Sequence, residues 1–385
     1  MRVLRPATES ELREALRAPD APGAGPDAAP VLLTGAGREA DPARGGDAEA
    51  LTGGDAAPTL VATGRMDAVL ELRPRDFTVT VEPGLRVARL QEVVAERGLW
   101  LAAGGPGTAR SVGGWVAAGT PGPWDGAFGP VRRQLLACRV ATHDGRLLSW
   151  GRPVVKNVAG YDLPRLVAGS RGRLGALVRV TLRLWPRPGA VEALEMAGEP
   201  DRLAATLPAI ETVGAEGLAW TWTPGTGHRL RAVLAGSATS LARRRAALEA
   251  AAAASGLAAT ESAPRPDAPD LAPGPRDPTS LAFRWTPGRH YLARGLRDLV
   301  EGRGPRPVRV EAWPPTGTLV ATFERVPDPA AVLPDAAAGP VAIERGGPEA
   351  HAEADRRRPT GARDLETRVL AALGGVPRAW QADFT

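Results

Sequence analysis

Lys156-Asn157-Val158-Ala159-Gly160-Tyr161-Asp162 holds the only lysine and the only asparagine of a 385-residue chain, with one of its two tyrosines. The other 47 lysine-or-arginine positions are all arginine. Composition has replaced lysine, asparagine and tyrosine wherever a substitute serves. The heptad is therefore read as carrying chemistry that arginine does not copy, since a compact ammonium and a planar guanidinium are not interchangeable.

Outward from the heptad the chain becomes rich in glycine and in short strands. Downstream, residues 163–168 suit a short helix, and Gly169-Ser170-Arg171-Gly172-Arg173-Leu174-Gly175 follows. Residues 176–185 then alternate Val178, Val180, Leu182 and Leu184 with Arg179, Thr181 and Arg183, the pattern of a half-exposed strand. Upstream, 135–142 and 147–150 flank the turn His143-Asp144-Gly145-Arg146, a strong hairpin signal. Before them stands the cluster Gly104-Gly105-Pro106-Gly107-Thr108-Ala109-Arg110-Ser111-Val112-Gly113-Gly114, and near the amino terminus Gly35-Ala36-Gly37 closes the apolar strand Val31-Leu32-Leu33-Thr34. Glycine reaches positive φ and exposes successive N–H groups, which together form a concavity for diphosphate oxygens. Thr108, Ser111 and Ser170 add hydroxyl donors. Gly35-Ala36-Gly37 by itself reads equally well as a plain turn. GxxxxGK[ST] is absent, as is GxGxxG opening a helix after a strand, so neither a P-loop nor a Rossmann dinucleotide domain is expected.

The remaining segments fill out two regions. Thr8 and Glu11 have the spacing of a capping box, with Leu12 and Leu16 on one helix face. Residues 19–30 have a linker composition and 38–57 that of a mobile surface loop. Strands are expected at 59–61, 69–72 and 78–82, and a helix through Val87, Leu90, Val93 and Val94 stops at Gly98. Pro186-Arg187-Pro188-Gly189 breaks the pattern and marks a domain boundary. Beyond it, strands are expected at 217–223, 229–234, 281–285, 308–313 and 317–324, helices at 239–254 and 289–302, and a disordered linker near 262–278. Alanine-rich stretches such as 250–254 read as helix, not as an internal repeat.

Composition narrows the chemistry. The net charge is +5, but the arginines are interspersed with Asp and Glu and the densest runs, 243–245 and 356–358, are short, so no stripe for nucleic acid is expected. Cys138 lies in an apolar run and reads as a buried small hydrophobe; one cysteine excludes disulfides within the chain. His143, His228, His290 and His351 show no metal-ligand spacing. No signal-like or membrane-length apolar stretch is seen, and a cytoplasmic location is expected.

These segments resemble a known family, the E subunits of bacterial glycolate oxidase (glycolate dehydrogenase), which belong to the vanillyl-alcohol-oxidase or PCMH type of FAD-binding proteins. The resemblance rests on residues 156–163, Arg165-Leu166, 169–175 and Val180-Thr181-Leu182-Arg183-Leu184-Trp185-Pro186-Arg187-Pro188, and on Gly113-Gly114-Trp115-Val116-Ala117-Ala118-Gly119 with Gly122-Pro123. It spans about residues 31–190. The fold it implies is α+β: a PCMH-type FAD-binding domain of two α+β subdomains over 1–188, then a smaller ferredoxin-like α+β cap domain over 189–385. FAD is implied as a noncovalent cofactor, because neither histidine nor cysteine occupies the loop positions that attach flavin in some relatives. Implied FAD contacts, mostly through backbone, are Gly35, Gly37, Gly104, Gly105, Gly107, Thr108, Ser111, Gly113, Gly114, Gly160, Gly169, Ser170, Gly172 and Gly175. Lys156, Asn157, Tyr161 and Asp162 would organise the loop around the flavin or a partner-facing edge. An alternative local reading has Asp162 capping the helix that follows and Tyr161 packed in the core.

The implied activity is oxidation of a small 2-hydroxy acid, glycolate to glyoxylate. The implied partners are a second FAD subunit and an iron–sulfur subunit, through which the chain reaches the inner membrane. One cysteine cannot itself hold an iron–sulfur cluster. Removing hydride from such an acid needs a cationic clamp and a base. The second region offers His228, Arg229, Arg231, His290 and Tyr291, but no spacing singles out a base. Two other readings stay open, a flavin-free assembly subunit of the same complex and a basic nucleic-acid-binding protein.

Overall fold

The computed structural model describes residues 2–17, 31–34, 59–103, 110–142, 144–153, 162–262, 281–302, 305–324, 328, 330, 332–334, 341–345 and 353–354. The linker expected over 19–30 and the loop over 38–57 lie outside these residues, as does the linker near 262–278 apart from Ser262.

Three parallel strands come first: β1 (Arg2–Leu4), β2 (Val31–Thr34) and β3 (Thr59–Ala62), in the order β1-β3-β2. Helix α1 (Glu9–Arg17) covers them, burying Leu12 and Leu16 against Leu33, Val61 and Met66. Its start follows the capping spacing, with the Glu11 N–H donating to Thr8 Oγ1 at 3.2 Å and the Ala7 N–H to Glu11 Oε2 at 2.8 Å. Strand β1 is too short to carry a period and was not expected from sequence.

A five-stranded antiparallel sheet follows. Its strands are β4 (Val69–Arg73), β5 (Thr78–Val81), β7 (Leu135–Ala141), β8 (Leu147–Gly151) and β9 (Ala176–Arg183), ordered β4-β5-β9-β7-β8. Helices α2 (Val87–Ala95) and α3 (Val112–Ala118) pack on it through Leu90, Val94, Trp115 and Val116 against Val79, Val81, Cys138 and Val180. The expected hairpin is β7–β8. Strand β9 corrects the half-exposed expectation. It sits between β5 and β7, with Val178 in the α1 core, Val180 and Leu182 in the α2–α3 core, and only Arg179 exposed. Buried Thr181 meets Thr80, hydroxyl to hydroxyl, at 2.9 Å. Short pieces complete this region: β6 (Leu99–Trp100), α4 (Asp125–Phe128), α5 (Val131–Gln134), α6 (Pro164–Val167) and β10 (Trp185–Pro186), the last pairing with β6.

Directly after the Pro186–Gly189 break, an eight-stranded antiparallel sheet begins. Its first half runs β11 (Ala190–Ala197), α7 (Pro200–Val213), β12 (Gly217–Thr223), β13 (Gly227–Gly236), α8 (Ala238–Ala254) and β14 (Ala259–Ser262). The second half runs β15 (Leu281–Trp285), α9 (Leu292–Glu301), β16 (Arg309–Trp313), β17 (Thr318–Phe323) and β18 (Val341–Arg345). The sheet order β14-β11-β13-β12-β16-β17-β15-β18 is the ferredoxin-like order written twice, fused where β12 pairs with β16. This topological repeat leaves no repeat in the sequence.

The two faces of that sheet differ in purpose. Leu194, Met196, Trp220, Leu230, Phe283, Val310 and Leu319 point at α7–α9 and form the largest core. Alternation puts Thr221, Arg229, Arg284 and Glu311 on the opposite face, where Ala193 and Val233 pack on Ala102 and Trp124 of the first region. Trp100, Trp124, Phe128 and Trp185 meet edge-on there, with Trp100 to Trp124 and Trp100 to Phe128 at 5.1 Å between ring centres and Phe128 to Trp185 at 5.0 Å. The backbone N–H of Leu218 donates across to Pro123 O at 2.9 Å.

Candidate cofactor site

The carboxyl ends of β2 and β3 lie side by side, with Thr34 opposite Ala62. The chain leaves β3 through a 3-10 turn, Thr63–Arg65, and Met66 O accepts from the Gly84 N–H at 2.7 Å. One residue back, Pro83 O accepts from the Gly113 N–H at 2.7 Å, and an isolated bridge joins Arg86 to Ser111. Both glycines are required by contact distance. A Cβ on Gly84 would stand 2.3 Å from Thr63 O, and one on Gly113 would stand 2.6 Å from Pro83 Cβ. Consecutive backbone contacts thus join the edge from which Gly35 departs to the start of α3, where the second glycine cluster ends. Ligands of open α/β sheets lie outside the carboxyl ends of the strands. Gly35 and Gly37 themselves fall outside the described residues.

The second cluster is anchored at both ends. Before it, Leu101 exchanges two hydrogen bonds with the Gln91 amide, at 3.0 and 2.5 Å, and buried Gln134 donates through Nε2 to Ala102 O at 3.0 Å and Gly129 O at 2.8 Å. Within it, the Arg110 guanidinium donates to Thr120 Oγ1 at 2.6 Å. Ser111 caps α3 by accepting from the Gly114 N–H at 3.1 Å, while the Val112 and Gly113 N–H groups donate to Leu85 O and Pro83 O. The first three N–H groups of α3 are therefore bonded within the protein. Gly104, Gly105, Gly107 and Thr108 fall outside the described residues, so of this cluster the structure places Ser111, Gly113 and Gly114.

The third cluster meets the other end of α3. The Gly169 N–H donates to Val116 O at 3.0 Å and the Arg171 N–H to Ala117 O at 2.9 Å. Gly119, at φ 59°, ends the helix so close to Gly169 that a Cβ on it would stand 2.8 Å from Gly169 Cα. Ser170 and Gly172 continue the same turn, Gly172 at φ 76°, and Gly175 passes tightly under Ala141. From the second sheet, Arg284 donates to Gly119 O at 2.8 Å and to Ala118 O at 3.3 Å. Asp162 is exposed and paired with Arg165 at 2.7 Å; α6 has no side-chain cap, so the capping alternative for Asp162 is not what the structure contains. Lys156, Asn157, Gly160 and Tyr161 fall outside the described residues.

The candidate bases are not brought together. His228 faces the helix side of the sheet beside Trp220 and Trp222, and burial lowers its pKa. His290 and Tyr291 stand on an exposed turn. Arg229 pairs with Glu195, and Arg231 Nε donates to Ser262 Oγ at 3.2 Å. Glu311, which sequence reading passed over, is buried beside Arg309, and its Oε2 accepts no hydrogen bond among the described residues. Burial outweighs Arg309 and lifts its pKa to about 7. Burial likewise lifts Asp125 to about 7 and the Cys138 thiol to about 12. Gln91, Gln134 and Arg284 were also passed over. A lone amide inside an apolar helix was the available signal for the first. Among the described residues no group of His, Cys, Asp and Glu is placed to hold a metal, and no helix is long and apolar enough to cross a membrane.

Comparison with known proteins agrees with this geometry. Residues 2–151 match the FAD_binding_4 family, described as FAD binding domain. A probable mitochondrial D-lactate dehydrogenase of Danio rerio is 35% identical over 127 residues, covering 32% of this chain and 25% of that protein. Glycolate oxidase subunit GlcE of Escherichia coli is 33% identical over 124 residues, covering 32% of this chain and 35% of the subunit. These matches span only about a quarter to a third of the relatives' own length. The crystal structure of p-cresol methylhydroxylase with substrate bound superposes with a TM-score of 0.69 at 12% identity, over 97% of this chain and 86% of that one. Residues 2–151 thus match the FAD binding domain family, the chain has the α+β fold seen in p-cresol methylhydroxylase, and its cofactor is FAD.

Proposed function

We propose that the chain is an FAD-dependent oxidoreductase subunit that oxidises a small 2-hydroxy acid, with glycolate to glyoxylate as the leading reaction, inside a complex with a second FAD subunit and an iron–sulfur subunit. Residues 1–188 form the cofactor domain in this reading and 189–385 the second domain laid over it. FAD is held noncovalently. The observation that carries the reading is the join from the Thr34–Ala62 edge, through Met66, Gly84 and Pro83, to Gly113. It brings the roots of two glycine clusters to one sheet edge. Similarity to GlcE and to a D-lactate dehydrogenase supports the substrate class.

Bound FAD would supply the two-electron acceptor for this oxidation. The chain's own residues supply the rest. Backbone N–H groups of Gly35, Gly37, Gly104, Gly105, Gly107 and Thr108 take the diphosphate, for which successive main-chain donors suffice. Ser111, Gly113, Gly114, Gly169, Ser170, Gly172 and Gly175 shape and brace that cradle. Lys156, Asn157, Gly160, Tyr161 and Asp162 organise the flavin or partner edge. The forked donors that a substrate carboxylate needs would come from guanidinium groups of the second domain, of which Arg229 already pairs with Glu195 and Arg309 with Glu311.

The test is a visible spectrum of the chain purified alone. A flavin band that is released on denaturation, and that bleaches anaerobically with glycolate or D-lactate, is expected. Colourless protein that takes up no added FAD overturns the reading. Co-purification with a cysteine-rich partner tests the assembly.

A further inference from the structure

We propose that Arg284 is a positioning residue through which the second sheet sets the chain's hold on FAD. The inference rests on the cofactor reading above. Arg284 lies on β15, one strand from the far edge of the eight-stranded sheet and far from the glycine clusters in sequence. Its guanidinium nonetheless reaches the first domain, with Nη1 at 2.8 Å from Gly119 O and both terminal nitrogens at 3.3 Å from Ala118 O.

Those two oxygens belong to the carboxyl end of α3, where partial negative charge collects and carbonyls lack helical partners. The neighbouring oxygens of the same turn are taken by the third glycine cluster, Val116 O by the Gly169 N–H and Ala117 O by the Arg171 N–H. Two segments remote from each other in sequence therefore share one helix end. The opposite end of α3 carries Ser111, Gly113 and Gly114, which close the second glycine cluster. A seven-residue helix moves as one body, so a displacement of its carboxyl end is felt at Gly113, where the fit against Pro83 has no slack. Losing Arg284 would strand two partly buried carbonyls and free α3 to shift, opening the spacing between the second and third glycine clusters. A planar fork suits two adjacent carbonyls; lysine keeps the charge with its three donors on one nitrogen.

The experiment uses the full chain with Arg284→Met and Arg284→Lys. In the FAD-free protein, amide hydrogen exchange at Gly119, Gly169 and Arg171 should quicken in Arg284→Met while β16 and β17 keep wild-type protection. FAD titration should then show affinity lowered on the order of tenfold to a hundredfold, with a shifted flavin band, and Arg284→Lys should recover most of both. Unchanged exchange at those three amides overturns the coupling whatever FAD does. Unchanged FAD affinity in Arg284→Met, or a loss that Arg284→Lys does not relieve, overturns the positioning role. If wild-type protein bound no FAD, the cofactor reading would fall on that result alone, and exchange would still decide the coupling.

Discussion

Gln134 shows how a single side chain holds the approach to the cofactor loop. It is wholly buried and its one amide nitrogen serves Ala102 and Gly129 together. Gln134→Ala removes the donor and strands the buried Ala102 carbonyl and the partly buried Gly129 carbonyl, a loss of about 2–6 kcal/mol at roughly 1–3 kcal/mol per stranded group. Denaturant unfolding of the variant checks it, and FAD retention should fall with it. Cys138 makes the complementary case. Its thiol is buried and raised to about 12, so a thiol-specific reagent at pH 8 should react only as fast as the protein opens, and a rapid stoichiometric reaction would contradict that burial. The cysteine was legible because its apolar neighbours say what they bury. Gln134 was not, since nothing in Val131-Arg132-Arg133-Gln134 marks the amide for burial and only tertiary packing turns it inward.

Helix α3 is the element on which the glycine clusters are threaded. Gly113→Ala places a methyl 2.6 Å from Pro83 Cβ, where backbone rather than a flexible tip must yield. A destabilisation of about 1–3 kcal/mol is expected, as for other overpacked positions, together with weakened FAD binding. Gly98→Ala is the control. No atom lies within 4 Å of its Cβ position, so it carries only backbone strain from φ 67° and should leave FAD affinity intact. The hairpin β7–β8, α2 with its Gly98 stop, and most strands of the second sheet could be read from sequence, because their periods or turn residues are local. β11 could not: Ala190-Val191-Glu192-Ala193-Leu194-Glu195-Met196-Ala197 is rich in helix formers and is a strand because β13 and β14 bond both its edges. α7 was hidden by Pro208, which its exposed face tolerates. Of the cofactor loops, sequence gave positions and the fold gave neighbours. Spacing cannot show that Gly113 presses on Pro83 or that Arg284 crosses from the other sheet.

At the scale of the whole molecule, the two regions meet over a face that holds buried titrating groups. Glu311 ionises near 7 in the folded chain against 4.5 in an ordinary glutamate. The native state therefore holds its proton more tightly than the unfolded state does, and stability falls as pH rises between those values, then levels off. Thermal unfolding midpoints across pH 4.5 to 7 should show this decline, and Glu311→Gln should make it shallower, leaving the part that Asp125, raised likewise, contributes; an equal slope in the variant would assign the whole effect to other carboxyls. The aromatic box at the same seam has an optical consequence. Trp124 is buried against Ala193 and Val233 of the second half, with Trp100 and Trp185 partly buried beside it, so prising the halves apart would redden indole emission while each half kept its backbone ellipticity. Fluorescence would then time the parting of the halves separately from their melting.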